Sequence, residues 1–190
     1  MKRLVLILFV LFSIGVNAQH ESHLEFKGIP ITGTLDNMLN KLQERGYELV
    51  YEEENAAALE GNFANENCKL HVYGTPKTKV VYRIVVVFGT QDNWWSLKSD
   101  YKKLKEQISA KYNIRPDAKE RFFDPYYEGD GYELQALRKG KCLYLSTFDV
   151  DNGTINILLS DKPSVYLYYT DAIGDNLNEQ EENQSSYDDL

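Results

Sequence analysis

The sequence lacks the short motifs that mark the common classes of hydrolase and nucleotide-binding enzyme. It contains no Gly-rich phosphate loop, no G-x-S-x-G and no H-E-x-x-H. The segment "DVDNGT" does not complete an EF-hand, because Gly153 falls one position early and Ser160 stands where the loop needs Glu. The sequence therefore predicts no cofactor and no metal site.

Histidine is scarce as well, with three residues in the whole chain. Two of them, His20 and His23, lie in "QHESHLE", which we expect to be part of a flexible stub. The third, His71, follows Cys68 by three positions, so on a regular strand the two side chains point to opposite faces. A Cys–His nucleophile pair is therefore not expected, and the sequence predicts no catalytic residue.

Carboxylates offer one remaining route to catalysis. The segment "DPYYEGDGYE" places Asp124, Glu128, Asp130 and Glu133 among aromatic residues, and an acid–base hydrolase needs only two carboxyl groups. An acidic Gly-Asp-Gly segment is also typical of a solvated turn, and the sequence names no partner for any of these carboxylates. A carboxylate-dependent hydrolase therefore stays open as an alternative.

Long apolar runs are confined to the amino terminus. Residues 1–18 combine the basic start "MKR", an apolar stretch over 4–16 and the small residue Ala18, which are the parts of a secretory signal peptide. The stretch is shorter than the ~20 residues of a transmembrane anchor, and no cysteine lies near the break to carry a lipid. We expect cleavage after Ala18 and an exported product, periplasmic or extracellular, without a permanent membrane anchor.

Basic residues are in the minority. Loss of Lys2 and Arg3 with the leader leaves 19 basic against 29 acidic residues, a net charge of −10. Nucleic acids and anionic lipids are bound mainly through Lys and Arg, so we expect no nucleic-acid partner. The last segment, residues 172–190, is acidic and has few apolar residues, which predicts a disordered tail.

Between these ends, the sequence alternates between helix and strand patterns. In "TLDNMLNKLQERG" the apolar residues fall at i, i+3, i+4 and i+7, which predicts a helix with Thr34 as N-cap. A second helix is predicted to begin near Asp92, as its N-cap, and to end before Pro116. Asn152-Gly153 predicts a tight hairpin. Strands are predicted at residues 47–51, 59–64, 69–73, 80–88, 121–124, 132–137, 142–148, 154–159 and 165–169.

These predicted elements occur in a similar order twice. In each half a helix and a short strand precede three longer strands, and a cysteine, Cys68 or Cys142, opens one of them. The order resembles that of the beta-lactamase inhibitor protein family and of small envelope lipoproteins that help assemble outer-membrane proteins. "FKGIPITGTLDNMLNKLQERGY" and the terminal "YDDL" are similar to small exported proteins of Gram-negative gut bacteria. The first resemblance implies a tandem helix-plus-sheet fold, and the second implies no activity.

Two cysteines in an exported protein allow either a disulfide or two buried thiols. An oxidising compartment favours pairing, and a bridge from Cys68 to Cys142 would close a loop of about 75 residues, worth ~4 kcal/mol in the loop-entropy model. If the two strands lie far apart in one sheet, their Cα atoms exceed the ~7 Å limit for a bridge. The sequence leaves both possibilities open.

Aromatic residues make up 13% of the chain and are the remaining signal. Trp94 continues the apolar stripe of the second helix, whereas Trp95 points about 100° away from it. Tyr and Trp are favoured at recognition surfaces. The candidate binding residues are Trp95, Tyr126, Tyr127, Tyr166 and Tyr168.

Together these patterns predict an α+β protein of two tandem repeats, residues 28–90 and 91–171, with the helices packed on one face of an antiparallel sheet. A flexible stub at 19–27 joins it to the signal peptide. We expect a non-catalytic, inhibitor-like binding module that presents its open sheet face to a protein partner. A carbohydrate or peptidoglycan binder using Trp95 and the Tyr126–Tyr127 loop is the first alternative, and the hydrolase is the second.

Overall fold

The computed structural model describes residues 22–188, with side chains described through residue 184. The predicted signal peptide lies outside the described residues. Within them the chain forms ten strands and four helices. In chain order these are β1 (Glu25–Phe26), β2 (Ile29–Pro30), α1 (Leu35–Glu44), β3 (Glu48–Glu52), β4 (Ala56–Phe63), β5 (Glu66–Gly74), β6 (Val81–Phe88), α2 (Trp94–Tyr112), β7 (Asp117–Phe122), α3 (Glu133–Arg138), β8 (Cys142–Val150), β9 (Gly153–Leu159), β10 (Val165–Asp171) and α4 (Ala172–Asp188).

Eight of the strands form one antiparallel sheet in the order β3-β4-β5-β6-β10-β9-β8-β7. The strands that follow α1 occupy one half of this sheet, and the strands that follow α2 occupy the other half. The halves meet where β6 pairs with β10, with Val85 opposite Tyr168. The predicted α+β class with a large antiparallel sheet is therefore confirmed, and β1 and β2 form a separate hairpin.

The core lies between one face of the sheet and the helices α1 and α2. Alternate residues of the central strands, such as Leu70 in β5 and Ile84 in β6, are fully buried on this face. The buried residues of α1 are the predicted stripe of Leu35, Met38, Leu39 and Leu42. Each such aliphatic side chain contributes about 1.5–3 kcal/mol by leaving water, so these two helices are held mainly by apolar packing.

Both predicted helices begin at a capping side chain. Thr34 accepts a hydrogen bond from a backbone N–H of the first turn of α1 at 3.3 Å, as predicted. The cap of α2 is Asn93, which accepts at 2.8 Å, and not the expected Asp92. The left-handed residue Asn113, with φ of 53°, ends α2 before Pro116.

The N-terminal segment is part of the core, contrary to the flexible stub predicted at 19–27. Phe26 is fully buried, and its ring lies 5.5 Å from that of Phe63 and 5.3 Å from that of Tyr169, centroid to centroid. The Leu24 N–H donates to the buried carboxylate of Asp171 at 2.8 Å. Because β1 and β2 have only two residues each, no strand period could reveal them in the sequence.

The C-terminal segment also differs from the prediction, because residues 172–188 form α4 where a disordered tail was expected at 172–190. This helix packs over β6, β9 and β10 on the sheet face opposite α1 and α2. The two helices predicted from the sequence, α1 and α2, do share one face, and α3 packs on the same core side. Helix α4 was not predicted, and it covers one end of the face that was expected to be open.

The contacts of α4 are polar, which explains why its sequence suggested disorder. The residues buried along its docked side include Gly174, Asn178 and Glu181. The Glu181 carboxylate accepts hydrogen bonds from the backbone N–H groups of Lys77 at 2.6 Å and Thr78 at 3.2 Å. Such a helix has no apolar stripe, and therefore no hydrophobic periodicity to detect.

Residues 133–138 form helix α3, where a strand was predicted at 132–137. Glu133, Ala136 and Leu137 are its buried residues, and their spacing of three and four positions is helical. The preceding strand β7 begins at Asp117, four residues before the predicted start. The run is too short for either period to dominate the sequence pattern.

The hairpin predicted at Asn152-Gly153 is present, with a small difference in its turn. Val150 lies opposite Gly153, so the two loop residues are Asp151 and Asn152. Glycine is needed at 153 because a Cβ there would stand 2.1 Å from the carbonyl oxygen of Thr170. The close approach of β9 to the end of β10 therefore depends on this residue.

Candidate binding surfaces

The open face of the sheet carries a groove between two pairs of stacked rings. On β5, the rings of His71 and Tyr73 lie 6.5 Å apart and are nearly parallel, at 22°. On β10, the rings of Tyr166 and Tyr168 lie 6.2 Å apart at 25°. Val85 of β6 lies between them, because it pairs with His71 on one side and with Tyr168 on the other. We call His71, Tyr73, Val85, Tyr166 and Tyr168 the tyrosine groove.

The size of the groove follows from the spacing of the strands. β5 and β10 are separated by one strand, so their backbones lie about 10 Å apart. The space above Val85 is a cavity of about 360 Å³. A second cavity of about 650 Å³ continues beyond Tyr166 to the ends of the strands, over Val87 and Phe88. Both cavities are lined by Tyr166, so the groove continues along the sheet towards the ends of the strands.

The groove is close to neutral. Burial, together with the neighbouring Lys69, lowers the pKa of His71, so its imidazole is uncharged at neutral pH. Lys69 is paired with Glu60 at 3.0 Å. At the other end, Arg83 is paired with Asp175 of α4 at 3.0 Å. Both cations beside the groove are thus matched, and apolar and aromatic contacts dominate between them.

The structure divides the five predicted binding residues into three environments. Tyr166 and Tyr168 lie together on the open face. Trp95 and Tyr127 are 69% and 66% exposed, but they lie on α2 and in the loop after β7, on the core side of the sheet. Tyr126 packs partly buried against the core. The predicted set is therefore not one surface.

His71, Tyr73 and Tyr132 are aromatic surface residues that the sequence did not mark for binding. His71 and Tyr73 alternate along β5, which indicates that they share a face, but their position two strands from Tyr168 depends on the β6–β10 pairing. Tyr132 is 62% exposed and was placed in a strand. Tyr132 is the residue immediately before helix α3. A sequence prediction that started a helix at Glu133 would have placed Tyr132 at an exposed helix end.

The carboxylates of the hydrolase alternative are largely occupied within their own loop. Asp130 accepts hydrogen bonds from the N–H groups of Tyr127 at 3.1 Å and Tyr132 at 2.7 Å. Glu133 is 6% exposed and accepts from the Gly129 N–H at 2.8 Å. Glu128 forms an ion pair with Lys98 of α2. These bonds fix the shape of the loop and favour a structural role for its acidic residues.

The two cysteines are free thiols, and the disulfide left open by the sequence is not formed. Cys68 lies on β5 and Cys142 on β8, four strand positions apart, which corresponds to about 19 Å. Burial raises the pKa of Cys68 to about 11 and that of Cys142 to about 12. Both thiols are therefore protonated at neutral pH and are poor nucleophiles.

The residues 22–188 contain no cluster of three or more His, Cys, Asp or Glu arranged to hold a metal ion. Within the same range no helix combines the length and apolar character required to span a bilayer. No protein-family model, no curated protein and no solved structure matches this chain.

Proposed function

We propose that this chain is an exported, non-catalytic, inhibitor-like module that recognises a protein partner through the tyrosine groove. The observation that carries the proposal is the presence of two stacked aromatic pairs, half-buried except for the exposed Tyr73, on the sheet face that α1 and α2 leave uncovered. Tyrosine contributes a large contact area at little entropic cost and is enriched among the residues that dominate binding energy. An aromatic side chain or an extended loop of a partner suits the groove above Val85.

Charge favours a basic partner. The mature chain would carry a net charge of −10, and the outer strand β3 and the turn after it contribute Glu48, Glu52, Glu53 and Glu54, two strands beyond β5. Complementary charge around an apolar contact region speeds association and selects among partners. Within the proposal, the groove supplies the affinity and this acidic rim favours partners with a positive surface.

The proposed export agrees with where the core begins. Leu24 is the first buried residue of the described chain, and cleavage after Ala18 leaves it in place. We expect the mature protein to begin at Gln19. Intact-mass analysis of the protein recovered from the envelope or medium measures this, and a mass that retains residues 1–18 contradicts the proposed export signal.

The tandem-repeat interpretation is also retained as a proposal, in a revised form. It is supported by the element order, in which one helix and four antiparallel strands occur twice and the last strand of each set meets its counterpart at the centre of the sheet. In this alignment Cys68 lies on the third strand of its set and Cys142 on the second. The cysteines therefore do not mark equivalent positions, and the proposed duplication rests on the topology alone.

The binding proposal is tested with variants of the open face. The mature protein is immobilised and exposed to envelope extract, and bound proteins are cross-linked and identified by mass spectrometry. We expect the double substitution Tyr166→Ser and Tyr168→Ser to lose the specific partner. The matched control is Tyr127→Ser, because Tyr127 is 66% exposed and lies on the core side of the sheet, away from the groove and from the acidic strand β3.

Both variants are first checked for folding by circular dichroism, so that lost binding is not confused with lost structure. A partner retained equally by the groove variant and the control contradicts the proposed surface. The absence of any protein that binds the wild type above the level of the double variant contradicts the proposed function itself.

A further inference from the structure

A second concave site lies on the other side of the sheet, between the first turn of α2 and helix α3. It is a cleft of about 380 Å³. The residues that matter for its chemistry are Asp92, Trp95, Tyr132, Gln135 and Arg138, and we call them the tryptophan cleft. None of them belongs to the tyrosine groove, so the cleft is independent of the function proposed above.

The aromatic side chains of the cleft are exposed and yet firmly positioned. Trp95 is 69% exposed and Tyr132 is 62% exposed. Trp95 stands in the first turn of a 19-residue helix whose start is fixed by the Asn93 cap. The Tyr132 N–H donates to Asp130 at 2.7 Å. Ordering the backbone in advance lowers the entropic cost of binding, so both rings project from an already ordered backbone.

Three polar side chains of the cleft have no bonding partner among the described residues. Among the described residues, the side chains of Asp92, Gln135 and Arg138 make no hydrogen bond and no ion pair. Together they offer a carboxylate acceptor, an amide that both donates and accepts, and a guanidinium donor. All three lie at the wall of the same cleft as Trp95. Elsewhere on this surface, by contrast, Lys98 and Lys105 are each paired with a glutamate.

Three charged residues line the cleft, Asp92, Glu133 and Arg138. Glu133 is buried and its carboxylate accepts the Gly129 N–H, so the two exposed charges, Asp92 and Arg138, are the ones a ligand meets. These two balance, which argues against an anionic ligand. The positive end of the α2 dipole would attract an anion, but Asp92 stands immediately before it. Arg138 and Asp92 form no ion pair with each other, but their opposite charges cancel within the cleft. A ligand that suits the cleft is therefore uncharged, has an apolar face for the rings, and has several hydroxyl groups around its edge.

We propose that the tryptophan cleft binds a neutral saccharide. The C–H face of a pyranose ring stacks on the exposed faces of Trp95 and Tyr132, where apolar contact fixes the ring. Its hydroxyl groups exchange hydrogen bonds with Asp92, Gln135 and Arg138, which provide the polar contacts that set orientation and selectivity. The cleft holds one or two rings of a longer chain, whose remainder extends into solvent along α2.

Tryptophan fluorescence gives a direct assay, because the chain has two tryptophans and Trp94 is only 4% exposed. The mature protein is titrated with maltotetraose, cellotetraose and chitotetraose, and a glycan array widens the set of neutral probes. We expect at least one probe to shift the emission of Trp95 to shorter wavelength and to protect it from acrylamide quenching. Isothermal titration calorimetry then gives the affinity.

Substitutions locate the site. We expect Trp95→Ala to lower the affinity about tenfold or more and Arg138→Ala to lower it several-fold. Tyr51→Ala, an exposed tyrosine on β3, is the matched control and leaves the affinity unchanged. Trp95 is mostly exposed, so its loss does not threaten folding, and a thermal melt of each variant verifies this.

Three outcomes overturn the proposal. One is that no neutral glycan binds the folded wild type at millimolar concentration. A second is that a glycan binds with the same affinity to the wild type and to Trp95→Ala. Loss of glycan binding in the Tyr166→Ser, Tyr168→Ser variant instead would move the saccharide to the open face and would equally contradict this cleft.

Discussion

The Phe26→Ala substitution removes the side chain that joins the N-terminal hairpin to the sheet. Phe26 is fully buried, and truncation of such a residue costs about 3–5 kcal/mol. Its ring stacks on Phe63 at 5.5 Å and meets the edge of Tyr169 at 5.3 Å. Each aromatic pair adds about 0.5–1.5 kcal/mol beyond burial, which places the expected loss in the upper part of that range.

Thermal unfolding of the mature protein, followed by circular dichroism, measures this loss. For a domain of this size each 1 kcal/mol lowers the melting temperature by about 2–4 °C, so a loss of about 4–5 kcal/mol predicts a decrease of about 8–20 °C. Urea titration at 25 °C gives the free energy of unfolding independently.

The matched control is Glu25→Ala on the same strand. Glu25 is exposed, and its substitution should change the free energy of unfolding by less than about 0.5 kcal/mol. A loss below about 1 kcal/mol for Phe26→Ala would refute the reasoning, because it would mean that the hairpin is peripheral and that residues 19–27 behave as the flexible stub predicted from the sequence.

Three further predictions concern other parts of the fold. Gly153→Ala should lower the free energy of unfolding by at least ~1–3 kcal/mol in a urea titration, because its Cβ would collide with the Thr170 carbonyl oxygen; an unchanged midpoint would contradict the close approach. Cys68 and Cys142 should both stay unreactive towards Ellman's reagent in the folded protein, and both should react in urea without reductant. A molecular mass lower by two hydrogen atoms would instead indicate a disulfide. Burial opposes the charge of Glu181, but its hydrogen bonds outweigh this and lower its pKa. Its stabilising contribution is therefore complete above the ordinary carboxyl pKa and is lost as the pH falls through the lowered one. Glu181→Gln should cost about 1.5–3 kcal/mol at neutral pH and progressively less towards about pH 3, and a pH-independent difference would contradict this.

The helices with an apolar stripe could be predicted from the sequence, and the polar one could not. Leu35, Met38, Leu39 and Leu42 repeat at helical spacing and are all buried in α1. Helix α4 buries Asn178 and Glu181 instead, and it is held by hydrogen bonds to backbone N–H groups of the β5–β6 turn. Whether such bonds exist depends on where the turn lies in space, and a sequence pattern does not contain that information.

The candidate site was predictable to a similar extent. Tyr166 and Tyr168 alternate in the last strand, a spacing that places both side chains on one face, and their rings stack there at 6.2 Å. The neighbours of these residues depend on the pairing of β6 with β10, which joins residues about 80 positions apart in the chain. The same pairing places His71 and Tyr73 across the groove. Local patterns therefore indicate which face of the sheet a side chain is on. Which residues lie together on that face depends on the strand order, and local patterns do not reveal that order.

The way in which α4 is attached bears on how much of the open face is available to a partner. An apolar helix could slide along the aromatic face and cover it, because hydrophobic contact has little directional preference. α4 is instead fixed by directional bonds at two places along its length. Near its start, Asp175 forms an ion pair with Arg83 at 3.0 Å. Farther along, Glu181 accepts hydrogen bonds from the backbone N–H groups of residues 77 and 78. These bonds hold the helix at one end of β6 and leave Val85, Tyr166 and Tyr168 uncovered. The acidic, polar composition that suggested a disordered tail is thus what confines the helix to the end of the tyrosine groove.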